Sequence, residues 1–72
     1  MPQSVIIYTR RDSTHSEAVR KQYRKKNVIF EERAIEKNRQ WAEDAFDLSG
    51  QPGLPVIVED GRVLIGLNGE TD

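Results

Sequence analysis

The chain has 72 residues with no cysteine and one histidine, which excludes disulfides, thiolate metal sites and multi-histidine metal sites. Eleven basic and twelve acidic residues leave a net charge of -1, so global electrostatics give no pull toward nucleic acid or an anionic membrane. With 36% hydrophobic and 32% charged residues, the expectation is a single domain over residues 1–72 with a modest core.

The start, Met1-Pro2-Gln3-Ser4, has no basic region, and the apolar run after it ends at Tyr8. That is too short for a signal peptide or a membrane span, so a soluble, cytoplasmic protein is expected. Ser4 to Thr9 is β-branched, aromatic and continuous, the pattern of a central strand buried on both faces. After the polar Arg10-Arg11-Asp12-Ser13, a helix fits Thr14 to Lys26. Thr14-His15-Ser16-Glu17 reads as a capping box, with Asp12 or Ser13 as the alternative cap. Ala18, Val19 and Tyr23 fall on its inward face. Arg24-Lys25-Lys26 suits the negative end of the helix dipole, and Asn27 suits a left-handed stop.

Val28 to Ile35 reads as a second strand, parallel to the first across one helix. Its Glu31, Glu32 and Arg33 mark a sheet edge. A second helix runs from Asn38 to Leu48, with Trp41, Ala42, Ala45, Phe46 and Leu48 as its apolar stripe. Ser49 to Gly53 is a cluster of breakers. Pro55 to Glu59 is a third strand, Asp60-Gly61 a type I′ turn, and Arg62 to Gly66 the antiparallel return. Residues 66–72 read as a polar, flexible tail. The order β-α-β-α-β-β implies an α/β fold: one four-stranded mixed sheet with helices packed on it.

Several short segments of this chain resemble the glutaredoxin family of the thioredoxin fold. Tyr8-Thr9-Arg10 is similar to the family's Tyr-Ser/Thr-Lys/Arg at the end of the first strand. Arg11 to Ser16 stands in the place of the redox loop, with Ser13 and Ser16 at the two positions of its Cys-x-x-Cys. Phe30-Glu31-Glu32 looks like the second strand, Leu54-Pro55 like the family's Val-Pro with its cis proline, and Ile65-Gly66 like the start of its Gly-Gly segment. The resemblance implies a thiol–disulfide oxidoreductase or electron-transfer scaffold. Its partners would be glutathione or a protein disulfide or peptide segment, with no metal and no covalently bound cofactor. The ligand-facing residues it implies are Arg10, Thr14, His15, Leu54, Pro55 and Gly66. In the family, the backbone just before the cis proline pairs with the glutathione peptide, a form of strand addition; here that residue is Leu54.

The departures matter as much. A cysteine at a helix N-terminus is favoured as thiolate by the helix dipole and unpaired N–H groups, and a cation such as Arg10 would add to this. A cysteine starts from a pKa of about 8.5, within reach of neutrality. A serine hydroxyl is far less acidic and forms no disulfide, so the chain is expected to be redox-silent. Two explanations stay open: serines substituted for the cysteines of an active glutaredoxin, or a natural non-catalytic module that binds a protein segment or a glutathione-like peptide. Leu67-Asn68-Gly69-Glu70 does not reproduce the family's Gly-x-Asp-Asp, which points to a protein reductant as a third possibility. The family's final helix has no counterpart after the hairpin. The apolar sheet surface this would bare makes a monomer or a weak homodimer the expected state.

Blander readings apply to the same residues. Thr14 and Ser16 read as helix-capping residues, and His15 as a solvent-exposed loop residue. Arg10 is read as an anion ligand at the helix start and Arg11 as a solvated arginine. Asp12, Ser13 and His15 are nearly contiguous, so they cannot converge as a hydrolase triad. Lys21 to Lys26 lacks interleaved aromatics and reads as a solvated helix face, not a nucleic-acid patch.

Overall fold

The computed structural model describes residues 4–72. Along the chain lie β1 (Val5–Thr9), α1 (Thr14–Lys25), β2 (Glu31–Ala34), a 3-10 turn (Ile35–Lys37), α2 (Arg39–Ser49), β3 (Val56–Glu59) and β4 (Arg62–Ile65). They form one mixed sheet in the order β2-β1-β3-β4. Met1-Pro2-Gln3, part of the segment read as lacking a signal sequence, lies outside the described residues.

The most apolar strand takes the centre. β1 pairs parallel with β2, from Ile6↔Glu31 to Thr9↔Ala34, and antiparallel with β3, from Val5↔Glu59 to Tyr8↔Val56. Side chains alternate across a strand, so the sheet has two cores. Val5, Ile7 and Ile57 pack with Val19 of α1 on one face. Tyr8 and Val56 pack with Ala45 of α2 and with Leu54 on the other. Each large apolar side chain buried this way contributes about 1.5–3 kcal/mol relative to exposure. Among the described residues, no helix is long and apolar enough to cross a membrane.

Apart from shifts of one residue at other element ends, the structure differs from the sequence reading in four places. The second strand starts at Glu31, not Val28. Asn27 does take a left-handed conformation (φ 59), and the Val28 N–H still donates to Tyr23 O at 3.0 Å. Val28 and Phe30 therefore serve to close α1, with Phe30 edge-on to Tyr23 at 6.1 Å between ring centroids, while Ile29 is exposed. The third strand starts at Val56, because Pro55 has no N–H to give a ladder. In α2, Ala45 is buried while Phe46 and Leu48 are exposed. The inward line steps through Ala42, Ala45 and Ser49 at helical spacing, which turns Leu48 away.

The fourth difference lies after β4. Gly66 (φ 72) turns the chain out of the strand, and Asn68 (φ 55) with Gly69 (φ 87) reverses it. Leu67 and Glu70 then exchange backbone hydrogen bonds of 2.8 and 3.0 Å. The segment read as a flexible tail is thus a second tight turn, which returns the chain to the sheet's β1–β3 end.

The two sheet edges are finished differently. On β2, Glu32 accepts from Thr9 Oγ1 at 2.8 Å and from Arg20 Nη1 at 2.7 Å. Burial alone would raise the Glu32 carboxyl, but these bonds outweigh it and hold it below the usual carboxylate value. Arg33 bonds Glu31 at 2.5 Å and the Tyr8 hydroxyl at 3.0 Å. On β4, Val63, Leu64 and Ile65 are exposed.

Candidate functional site

The site is built where the first turn of α1 meets the loop between α2 and β3. Ser13 is the α1 N-cap, in an extended conformation (φ -89, ψ 114). Its N–H donates to Arg10 O at 3.1 Å, its carbonyl accepts from Glu17 N–H at 3.1 Å, and its Oγ accepts from Ser16 N–H at 3.0 Å. Thr14 is therefore the first helical residue, and the Thr14–Glu17 capping box is not formed; Ser13, the alternative, occupies the cap. Thr14 and the side chain of Arg10 face solvent.

Both serines are sealed from water, Ser13 at 2% and Ser16 at 0% exposure. They differ in hydrogen bonding. Ser16 Oγ has no partner among the described residues, so Ser16 is not the capping residue its composition suggests. A buried hydroxyl left unpaired costs about 1–3 kcal/mol.

The opposing wall is the segment 51–55. The Gln51 side chain clamps Gly53 from both sides: its Oε1 accepts from Gly53 N–H at 2.7 Å, and its Nε2 donates to Gly53 O at 2.9 Å. The Leu54–Pro55 peptide bond is cis, and both residues are buried. Pro55 O accepts from Gly66 N–H at 2.7 Å, which joins this loop to the end of β4.

Asp72 bridges the two walls. Its backbone N–H donates to Leu54 O at 2.9 Å, and its carbonyl accepts from Leu54 N–H at 3.4 Å. Its carboxylate takes the His15 backbone N–H at 3.2 Å and also pairs with His15 Nδ1. The His15 Nε2 lies 3.6 Å from Glu70. A hydrogen bond from Ser13, then one from His15, holds the Asp72 carboxyl well below the usual carboxylate range. The bond to Asp72, with the charges of Asp72 and Glu70, raises His15 above its ordinary value against some desolvation. His15 is thus tied to an acidic pair and is half-buried, where a solvent-exposed residue was expected.

The structure gathers the predicted residues around the returning segment: His15 and Leu54 hydrogen-bond Asp72, Gly66 packs against Glu70, Pro55 bonds Gly66, and Ser13 caps the turn that carries His15, with Ser16 buried in the same turn. Arg10 contributes a carbonyl to the cap. Gln51, Gly53, Glu70 and Asp72 were missed from sequence. For the last two a signal existed: Asn68-Gly69 is a strong two-residue turn sequence, and it sends Glu70 to Asp72 back to the site. Among the described residues, no group of three or more His, Cys, Asp or Glu side chains is placed to hold a metal ion.

Comparison with known proteins bears on the family and the fold. No curated protein matches the chain in sequence. The crystal structure of the glutaredoxin (grx-1) from Archaeoglobus fulgidus superposes with a TM-score of 0.82 at 23% identity, covering 90% of this chain and 76% of that one. At that identity the likeness is one of fold. The glutaredoxin family profile matches residues 5–64, from the first core residue of β1 to Leu64 of β4. The chain belongs to the glutaredoxin family and has its thiol–disulfide oxidoreductase-like scaffold, without a cysteine in it.

Proposed function

We propose that this chain is a glutaredoxin-type exchange scaffold that is redox-silent because Ser13 and Ser16 stand at the thiol positions, and that its groove takes glutathione or a short extended peptide. The observation that carries this reading is the unpartnered Ser16 Oγ. A thiol is a weak hydrogen-bonding group and behaves as a small hydrophobe when buried. The Ser16 pocket suits that group and leaves a hydroxyl unsatisfied. Ser13 stands one turn earlier on the groove side, at a helix N-terminus, where a thiolate would be stabilised. Arg10, Thr14 and His15 from the helix side and Leu54, Pro55 and Gly66 from the loop side are the residues proposed to surround the ligand.

The test is to restore both thiols. The Ser13→Cys/Ser16→Cys double variant should reduce a disulfide substrate in a glutathione-coupled assay, and the unchanged chain should not. A folded but inactive double variant would overturn the redox reading. The second reading, a non-catalytic module for a protein segment, is favoured by the main-chain pairing that Leu54 already makes with Asp72 of its own chain. It would gain if peptide, and not glutathione, shifted the Arg10, Leu54 and Gly66 resonances of the unchanged chain.

A further inference from the structure

We infer that residues 70–72 form a strap that occupies the groove, and that glutathione or a peptide enters only by displacing it. The inference rests on the groove assignment of the preceding section. An extended ligand pairing beside Pro55 needs the N–H and the carbonyl of Leu54. Asp72 uses both. A negative group on such a ligand would be drawn to the free N–H groups at the start of α1. The Asp72 carboxylate already takes the His15 N–H there and pairs with the His15 ring. The strap therefore satisfies the main-chain and the electrostatic requirements of the site at once, and two occupants cannot share them.

Two glycines make the room. A Cβ on Gly53 would overlap the Thr71 side chain, and a Cβ on Gly66 would overlap the Glu70 backbone. The two glycines meet successive residues of the returning segment, Thr71 and Glu70, so its seat is shaped along its length. The strap has no large apolar side chain among Glu70, Thr71 and Asp72, and the Glu70 side chain is 76% exposed. Segments held by few buried apolar contacts open most easily. The strap is built to fit and also to leave.

The test compares the unchanged chain with Asp72→Ala by NMR, using glutathione as the probe. Removing the carboxylate should speed hydrogen exchange at the Leu54 amide while Ile7, in the sheet centre, keeps its protection. It should also tighten glutathione binding roughly tenfold, the factor lost when only about a tenth of the chains are open. Equal glutathione affinity in both chains would overturn the strap and leave the groove assignment standing. Glutathione that shifts neither chain would remove glutathione as the occupant and, with it, the strap as a barrier to glutathione. A Leu54 amide already unprotected in the unchanged chain would overturn the strap whatever the ligand does. Asp72→Asn, which keeps the shape and loses the charge, should fall between the two.

Discussion

The first turn of α1 holds two serines, one at the helix cap and one a turn further in. Ser13 and Ser16 are nearly equally buried and sit three residues apart, yet serine fits only one of the two places. At the cap the Ser13 hydroxyl accepts from Ser16 N–H. The Ser16 hydroxyl has no partner among the described residues. A cap position needs an oxygen to accept a backbone N–H, whereas a site sealed inside the core rewards a group that asks for no hydrogen bond. Burial alone therefore does not say whether a polar residue suits its place; the local set of donors and acceptors does.

Restoring one thiol at a time should give the largest effect. Ser13→Cys should form a mixed disulfide with oxidised glutathione, read by mass spectrometry, because its sulfur would lie on the groove and at the helix N-terminus. Ser16→Cys should react at least about tenfold more slowly, since a buried thiol in apolar surroundings is poorly ionised. Equal rates would break the distinction between the two positions. The next effect is on stability, measured by urea unfolding. Ser13→Ala removes the cap and should cost about 1 kcal/mol. Ser16→Ala removes an unsatisfied hydroxyl and should be neutral or stabilising by up to about 1 kcal/mol. Equal losses at both positions would show that Ser16 Oγ has a partner in solution.

The smallest effect is on pH dependence, and it sharpens the cap end alone. His15 is raised above 6.5 by Asp72, with Glu70 also facing it. Its contribution to the closed strap is complete below that ordinary value and is lost as pH rises through the raised one. Asp72 is lowered from 3.8, so its contribution is present above that value and is lost as pH falls through the lowered one. Exchange protection of the Leu54 amide, corrected for intrinsic rates, should therefore be greatest in mildly acidic solution and weaken at alkaline pH. His15→Gln should flatten the alkaline limb. A profile unchanged by that substitution would show that the ring does not hold the strap.

The element order was legible because β-branched runs, a cationic helix end and two breaker clusters fall in sequence. Charges on Glu31 and Arg33 placed β2 at an edge correctly, since charged side chains tolerate an open flank. The β2 start was not legible: Val28-Ile29-Phe30 has strand composition, but Val28 and Phe30 close α1 against Tyr23 and Ile29 is exposed. Ser13 and the Leu54–Pro55 cis bond were readable through family likeness. The Gln51 clamp was hidden, because a polar side chain two residues from its target looks like ordinary loop composition. His15 and Asp72 lie 57 positions apart, and only the Asn68-Gly69 reversal, overlooked in a polar stretch, could have linked them.

The exposed β4 strand has a consequence for handling the protein. An edge strand offers a row of unpaired N–H and carbonyl groups to any other chain. At the opposite margin, Glu31 and Arg33 guard that row with charge. Along Val63-Leu64-Ile65 there is no such guard, and only Arg62 stands at its start. Concentrated samples should therefore self-associate first along β4, and a Leu64→Lys substitution, on the side away from the groove loop's core, should raise the soluble limit while leaving the fold intact.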